Sequence, residues 1–270
     1  MKKKDRISSS CYLLSKDCFS SFLRIKRKIA LFLDFDGTLV PIQKNPAQCI
    51  LSYKIKKQLE LLRDSKNCYL TILSGRSLPD IKQKVGIKRI YYGGNHGLDI
   101  SGSNVRYTHP KAIFAKPIIN HIRQQLQKEI EDIDGVWLED KKFTLSLHFR
   151  SVKTEDIPHV KKVFYNVVNK YSEKKLLAVI KGKKVLELVP DVSWDKGKAV
   201  LWVLQRFKDK CLPIYVGDDQ TDETAFKSLR KKGITIRVGK LKKTFADYYL
   251  KGYWEISRLL QQVQEFIKTF

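Results

Sequence analysis

The chain has 270 residues, 43% of them hydrophobic and 11% aromatic, enough apolar material for one large buried core or a core with a smaller satellite. Its 53 Lys and Arg against 28 Asp and Glu give a formal net charge of +25, which favours acidic partners: nucleic acid, an anionic membrane or phosphorylated small molecules. No run of about 18 apolar residues occurs, which excludes a membrane-spanning helix.

Residues 1–27 carry little patterning and are expected to form an N-terminal extension, in which Leu13, Leu14, Phe19, Phe22 and Leu23 have the spacing of a short amphipathic helix. The continuous apolar run at 29–33 predicts a strand buried on both faces of a parallel sheet. A helix over 53–63 and a second apolar strand over 68–73 follow. Ser77, with Pro79 and Asp80 behind it, supplies a capping hydroxyl and a first-turn proline for the next helix. A strand over 90–92 leads to a hairpin in which 101–104 turns between 98–100 and 105–107. Strand and helix alternate, the rhythm of an α/β protein.

The middle third differs. A helix is predicted over 113–130, then strands over 136–139 and 143–149 around Lys141 and Lys142. Thr144, Ser146 and His148 alternate with Phe143, Leu145, Leu147 and Phe149, the pattern of a sheet with one wet face. A helix over 157–168 and a hairpin of 176–180 with 185–189 around Gly182 complete a separate α+β unit, punctuated by Pro110 and Pro190. The α/β rhythm then resumes: helix 196–207, strand 213–216, helix 221–229, strand 234–238 and helix 254–267. The expected organisation is therefore an extension (1–27), a first core part (28–109), an inserted α+β cap (110–190) and a second core part (191–270).

The basic clusters at 2–4, 24–28 and 240–243 lack the aromatic interleaving of RNA-binding motifs and read as solvated surface. Cys11, Cys18, Cys49, Cys68 and Cys211 are odd in number and contain no C-x-x-C pair, the pattern of reduced cysteines with neither a disulfide framework nor a zinc site. The basic start is followed by charges and a serine run instead of an apolar segment, so no signal peptide is expected and the cytoplasm is the expected location.

Chemistry-bearing residues collect where strands end. Asp34 and Asp36 follow the first strand at i and i+2, so they can point into one site, in the region where open α/β sheets bind ligands. Gly37 permits a tight turn and leaves amides near a bound anion. An isolated D-x-D would equally suit an Asp-rich turn. Here, however, Asp218, Asp219 and Asp222 end another apolar strand, and three carboxylates in five residues invite a hard cation such as Mg²⁺. Ser74 and Gly75 follow the second strand as a small phosphate cradle, and Lys196 opens a helix with an ammonium that can neutralise a transferring phosphoryl group.

In this order the motifs resemble those of the haloacid dehalogenase superfamily of phosphatases: Asp34-x-Asp36-x-Thr38, Ser74, Lys196 and Gly217-Asp218-Asp219-x-x-Asp222. The resemblance implies a Rossmann-like α/β core with a parallel sheet and an inserted α+β cap. It also implies Asp34 as nucleophile, Asp36 as acid and base, Lys196 as charge stabiliser, and Thr38, Ser74 and Gly75 as phosphate binders. Mg²⁺ would be held by Asp34, the Asp36 carbonyl, Asp218 and Asp222.

A narrower resemblance, to trehalose-6-phosphate phosphatases, is carried by Ile72 to Ser77, Gly94-Asn95-His96-Gly97, Glu139-Asp-Lys141, His148-Phe-Arg150, Leu186 to Pro190 and Gly217 to Glu223. It implies Asn95, His96, Lys141, Arg150, Lys183 and Glu187 as sugar contacts. A sugar phosphate is then the expected small-molecule partner, a trehalose-6-phosphate synthase is a further candidate partner, and neither a membrane nor nucleic acid is expected. Asp99 and Val189 depart from the family pattern, which usually has Glu and often Arg there. The alternatives are a sibling phosphatase acting on sucrose phosphate, mannosylglycerate phosphate or a hexose phosphate, and a basic binding protein without catalysis.

Overall fold

The structure is a computed structural model that describes residues 11–15, 28–43, 45–182, 184–241 and 243–269. In chain order its elements begin with β1 (Cys11–Tyr12), β2 (Ile29–Leu33), α1 (Tyr53–Asp64), β3 (Cys68–Leu73), α2 (Leu78–Val85), β4 (Tyr91–Gly94), β5 (Asp99–Ser101) and β6 (Arg106–Thr108). There follow α3 (Pro110–Glu129), β7 (Trp137–Asp140), β8 (Leu145–His148), α4 (Ile157–Glu173), β9 (Leu177–Gly182) and β10 (Val185–Pro190). The last are α5 (Lys196–Leu204), β11 (Leu212–Gly217), α6 (Asp222–Leu229), β12 (Ile234–Val238), β13 (Tyr248–Leu250) and α7 (Ile256–Ile267). They fall into two compact units, Met1–Arg106 with Trp194–Phe270, and Tyr107–Ser193.

The first unit is built on a sheet of order β1-β13-β12-β11-β2-β3-β4-β5-β6. From β1 through β4 every neighbouring pair is parallel, and β5 returns antiparallel to β4. All five residues of β2 are buried, as its unbroken apolar run requires. Burial of a side chain such as Phe32 stabilises the fold by about 1.5–3 kcal/mol. From β2 the chain builds outward through β3 and β4, then returns to place β11 on the other side of β2. The carboxyl ends of β2 and β11 thus flank the point where strand order reverses, the position at which open α/β sheets leave a ligand crevice. Helix starts are fixed locally. The Ser77 hydroxyl accepts from the Asp80 N–H at 3.3 Å, and the Asp195 carboxylate from the Lys198 N–H at 2.9 Å.

Two expectations fail near the N-terminus. In place of a helix through Leu13 and Leu14, Cys11–Tyr12 pairs in parallel with Tyr248 and Tyr249, and the Leu13 N–H donates to the Tyr249 carbonyl at 3.0 Å. This edge pairing buries Leu13 and Leu14 in the first core, a gain that an isolated short helix could not match. Phe19, Phe22 and Leu23 lie outside the described residues. Cys11 is disulfide-bonded while Cys49, Cys68 and Cys211 are free; an odd count of cysteines does not prevent one pair from forming.

The second unit has its own core. Its antiparallel sheet runs β7-β8-β10-β9. One face, with Leu145, Leu147, Leu186 and Leu188, packs with buried residues of α3 and α4 such as Ile119, Ile122, Val160 and Phe164. The opposite face is not the wet surface that alternation suggested, because Thr144 and Ser146 are fully buried. Register aligns Glu139, Ser146 and Glu187 in one row across β7, β8 and β10. On that face the Thr144 hydroxyl donates to Glu187 Oε1 at 2.8 Å and Lys141 Nζ donates to the same oxygen at 3.1 Å, while the buried Ser146 hydroxyl has no hydrogen-bond partner among the described residues. No helix among the described residues is long and apolar enough to cross a membrane.

Candidate active site

β2 ends at Leu33, and the next peptide N–H, that of Asp34, donates to the Val216 carbonyl of β11 at 2.9 Å. That bond brings the first acidic motif beside the second. The chain then turns tightly, the Gly37 N–H donating to the Val40 carbonyl at 2.8 Å. Gly37 has φ +83°, and a Cβ there would lie 2.2 Å from Asp218 Oδ2. Only glycine lets the two loops approach this closely. The Thr38 hydroxyl sits 3.5 Å from Asp218 Oδ1.

Lys196, the first residue of α5 and 2% exposed, places Nζ 2.8 Å from Asp34 Oδ1 and 2.7 Å from Asp222 Oδ1. Asp34, Asp218 and Asp222 each offer an oxygen within 4.8 Å of the others. Burial, reinforced by Asp222, Asp218 and Asp219, pushes the Asp34 carboxyl well above the usual range against the pull of Lys196. Asp218 is pushed up to about 7 by burial and by Asp222 and Asp219. Burial alone would depress Lys196, but Asp222 and Asp34 outweigh it and raise its pKa. The cluster thus holds more negative charge than one ammonium balances.

Asp222 is fully engaged. Its Oδ1 accepts from Lys196 and from the buried Tyr215 hydroxyl at 2.7 Å, and its Oδ2 accepts from the N–H groups of Asp218 and Asp219 at 2.9 Å each. These bonds orient the ammonium and shape the turn in front of it.

Ser74 and Gly75 follow β3 on the other side of β2. The Arg76 N–H donates to the Ser74 hydroxyl at 3.1 Å, and the His96 N–H to the Ser74 carbonyl at 3.0 Å. Asn95 and His96 both have positive φ, 49° and 57°, at a cost of roughly 1 kcal/mol each. The Arg76 carbonyl, accepting from the Asn95 N–H at 2.7 Å, helps to hold them there. Gly75 has the His96 ring so close that a Cβ would meet it at 2.7 Å. Asn95, His96, Ser74 and Gly75 therefore form one cluster.

Arg76 is a participant that sequence reasoning passed over. Its Nε and one terminal nitrogen each donate to Asp36 at 2.7 Å, while the other terminal nitrogen reaches Asp80 at 2.8 Å. The spacing of Arg76 and Asp80, i and i+4 at a helix start, was the available signal. Tyr215 was missed too, hidden in an apolar strand.

In the second unit, Lys141 and Glu187 meet as described. Glu139 Oε2 lies 2.8 Å from His148 Nε2, and the Trp137 ring stacks on His148 with centroids 4.0 Å apart. Burial would raise the Glu139 carboxyl, but His148 and Lys141 hold it below its ordinary value. Arg150 is exposed after β8, and Lys183 lies outside the described residues. Asp99, at a position where the sequence departs from the family pattern, is buried and ion-paired to Arg106 at 3.1 Å.

Comparison with known proteins bears on this arrangement. A family model described as Trehalose-phosphatase matches residues 32–253. Trehalose-phosphate phosphatase B of Arabidopsis thaliana is 35% identical over 256 residues, 88% of this chain and 67% of that protein. A probable trehalose-phosphate phosphatase E of the same plant is 36% identical over 259 residues, 88% of this chain and 71% of that protein. Among solved structures, the C-terminal domain of C. albicans trehalose-6-phosphate phosphatase superposes with a TM-score of 0.80 at 22% identity, covering 97% of this chain and 99% of that one. The sucrose-phosphatase of Synechocystis superposes with a TM-score of 0.53 at 17% identity, covering 89% and 98%. The structural likenesses establish a haloacid dehalogenase fold. On the family match and these sequence relatives, the chain belongs to the trehalose-phosphatase family.

Proposed function

We propose that this chain hydrolyses trehalose 6-phosphate to trehalose and phosphate through a phosphoaspartate at Asp34, with Mg²⁺ as cofactor. The observation that carries the reading is the buried Lys196, bridging Asp34 and Asp222 where the strand order reverses, in a member of the trehalose-phosphatase family.

The donor set fits a hard divalent cation. It offers only oxygens, and burial, reinforced by neighbouring carboxylates, raises the Asp34 and Asp218 carboxyls, a penalty on negative charge that a cation relieves. Asp34, Asp218 and the Asp36 carbonyl would hold Mg²⁺, with Asp222 behind them or joined through water. Bound there, the ion would neutralise charge on the phosphoryl oxygens.

The chain's own groups divide the reaction into two displacements. An Asp34 carboxylate oxygen attacks phosphorus as the bond from phosphorus to the sugar oxygen breaks, and Asp36 gives that oxygen a proton. Asp36 then takes a proton from water, whose oxygen attacks phosphorus, releasing phosphate and restoring Asp34. Lys196 offsets the charge that gathers on Asp34 and the phosphoryl group. Thr38, Ser74 and Gly75 receive phosphate oxygens. The Arg76 fork holds the Asp36 carboxylate turned toward α2, so proton donation requires Asp36 to leave the fork. Asn95, His96, Lys141, Arg150, Lys183 and Glu187 are assigned to the sugar.

The test is phosphate release from trehalose 6-phosphate beside sucrose, glucose and mannose phosphates, with Mg²⁺ or with chelator. Strong preference for trehalose 6-phosphate, lost on chelation, is expected. Magnesium-dependent activity favouring another sugar would discard the substrate and keep the mechanism. Undiminished activity in chelator would discard the metal.

A further inference from the structure

The turn that carries Asp218 is gripped from both sides. On one side the N–H groups of Asp218 and Asp219 donate to Asp222 Oδ2. On the other, a cation from the neighbouring strand holds their carbonyls. Arg237 lies in β12 directly opposite Gly217 of β11, so its side chain emerges beside the turn. One terminal nitrogen donates to the Asp218 carbonyl, and the other donates to the Asp219 carbonyl at 3.2 Å and to Glu223 Oε1 at 2.8 Å.

Glu223 is fixed in turn. The Thr244 hydroxyl donates to its Oε1 at 2.7 Å and the Phe245 N–H to its Oε2 at 2.8 Å. The Arg237 and Glu223 side chains are 12% and 10% exposed, so the pair is shielded from solvent and its geometry restrained.

We propose that Arg237 is a positioning residue that holds the Asp218 carboxylate in the pose that receives a divalent cation. The inference rests on the Mg²⁺ reading above. Asp218, Asp219 and Asp222 repel one another across five residues that begin just after Gly217, a combination that favours an open turn. The direction of the Asp218 side chain is set by the peptide planes on either side of it, and Arg237 and Asp222 hold those planes in place. Arg237 also brings positive charge to the turn by bonding carbonyls, which leaves the Asp218 carboxylate oxygens for the ion. A planar fork reaches two successive carbonyls and a carboxylate at once; an ammonium in its place would be a point charge without that reach.

The test is calorimetric titration of Mg²⁺ into the chelator-treated full chain, comparing wild type, Arg237→Met, Arg237→Lys and the control Asp218→Asn, with circular dichroism to verify folding. Partners behind metal ligands change affinity by about 10–100-fold. Arg237→Met is therefore expected to bind Mg²⁺ about tenfold more weakly, Arg237→Lys to fall between it and wild type, and Asp218→Asn to lose binding. In assays, the Mg²⁺ concentration for half-maximal velocity should rise with the same factor, while KM for the sugar phosphate at saturating Mg²⁺ moves less than about twofold. Wild-type Mg²⁺ affinity in the folded Arg237 variants would overturn the proposal. Failure of the wild type itself to bind Mg²⁺ would instead overturn the metal reading, and this inference with it. Should Arg237→Met not fold, Arg237→Lys decides: wild-type affinity overturns the proposal and weakened binding supports it.

Discussion

Asp34 sits in a buried cluster in which Lys196 balances part of the charge of several carboxylates. Breaking a buried ion pair by removing one partner ordinarily costs about 3–5 kcal/mol, because the other charge is left uncompensated. Asp34→Asn is a milder change, since Lys196 keeps its 2.7 Å bond to Asp222 and the charge that burial and neighbouring carboxylates disfavour at Asp34 disappears. The variant should therefore remain folded, with a midpoint of thermal unfolding without Mg²⁺ no lower than that of the wild type. Its phosphate release should fall at least about 10³-fold, as removal of the group that forms the covalent bond requires. Substantial turnover by the folded variant would rule out Asp34 as nucleophile. Asp34, Lys196 and Asp218 could be singled out in the sequence because each follows a recognisable strand or opens a helix. The bond of Arg76 to Asp36 and that of Tyr215 to Asp222 could not be read there, because each joins residues whose meeting only the fold arranges.

At the scale of elements, the turn after β2 depends on one glycine. Gly37 occupies left-handed backbone with φ +83°, and its missing Cβ is the space that Asp218 Oδ2 fills. Gly37→Ala should cost about 1–2 kcal/mol in backbone conformation alone. Because the added methyl must displace Asp218, the phosphatase should lose more in kcat/KM than in stability, by at least about tenfold. Urea unfolding read beside steady-state kinetics checks both, and wild-type kinetics in the alanine variant would show that Asp218 does not need that space. The same scale explains the polar face of the second unit. Alternation in β8 correctly separates its two faces, but alternation cannot tell a wet face from one that packing buries, as it buries Ser146 beside Thr144 and its bond to Glu187.

At the scale of the whole molecule, burial governs the thiols. Cys68 is buried in the first core, and desolvation there pushes its thiol up to about 12. At pH 8 that leaves about one thiolate in ten thousand, whereas an ordinary cysteine is substantially ionised. Iodoacetamide should therefore label Cys68 at least about 100-fold more slowly in the native chain than in the urea-unfolded chain, as mass spectrometry of the labelled peptide can measure. Rapid native labelling would mean that the strand end around Cys68 opens without global unfolding.

The sequence by itself determined the regular elements with strong local causes. β2 and β11 were readable because strands buried on both faces are apolar nearly throughout, β3 and β12 because apolar residues dominate them despite Thr71, Thr235 and Arg237, and α2 because its serine cap and first-turn proline act within a few residues. The acidic motifs were placed at strand ends for the same reason, and the α/β class followed from their order. The tertiary structure alone decided the rest. β1 and β13 are strands of two and three residues that exist through their pairing. The grip of Arg76 on Asp36 spans 40 positions, and that of Arg237 on the Asp218 carbonyl spans 19. Local patterning carries no information about such partners: long-range hydrogen bonds and buried charges are settled only when separate strands are brought into register around a common core.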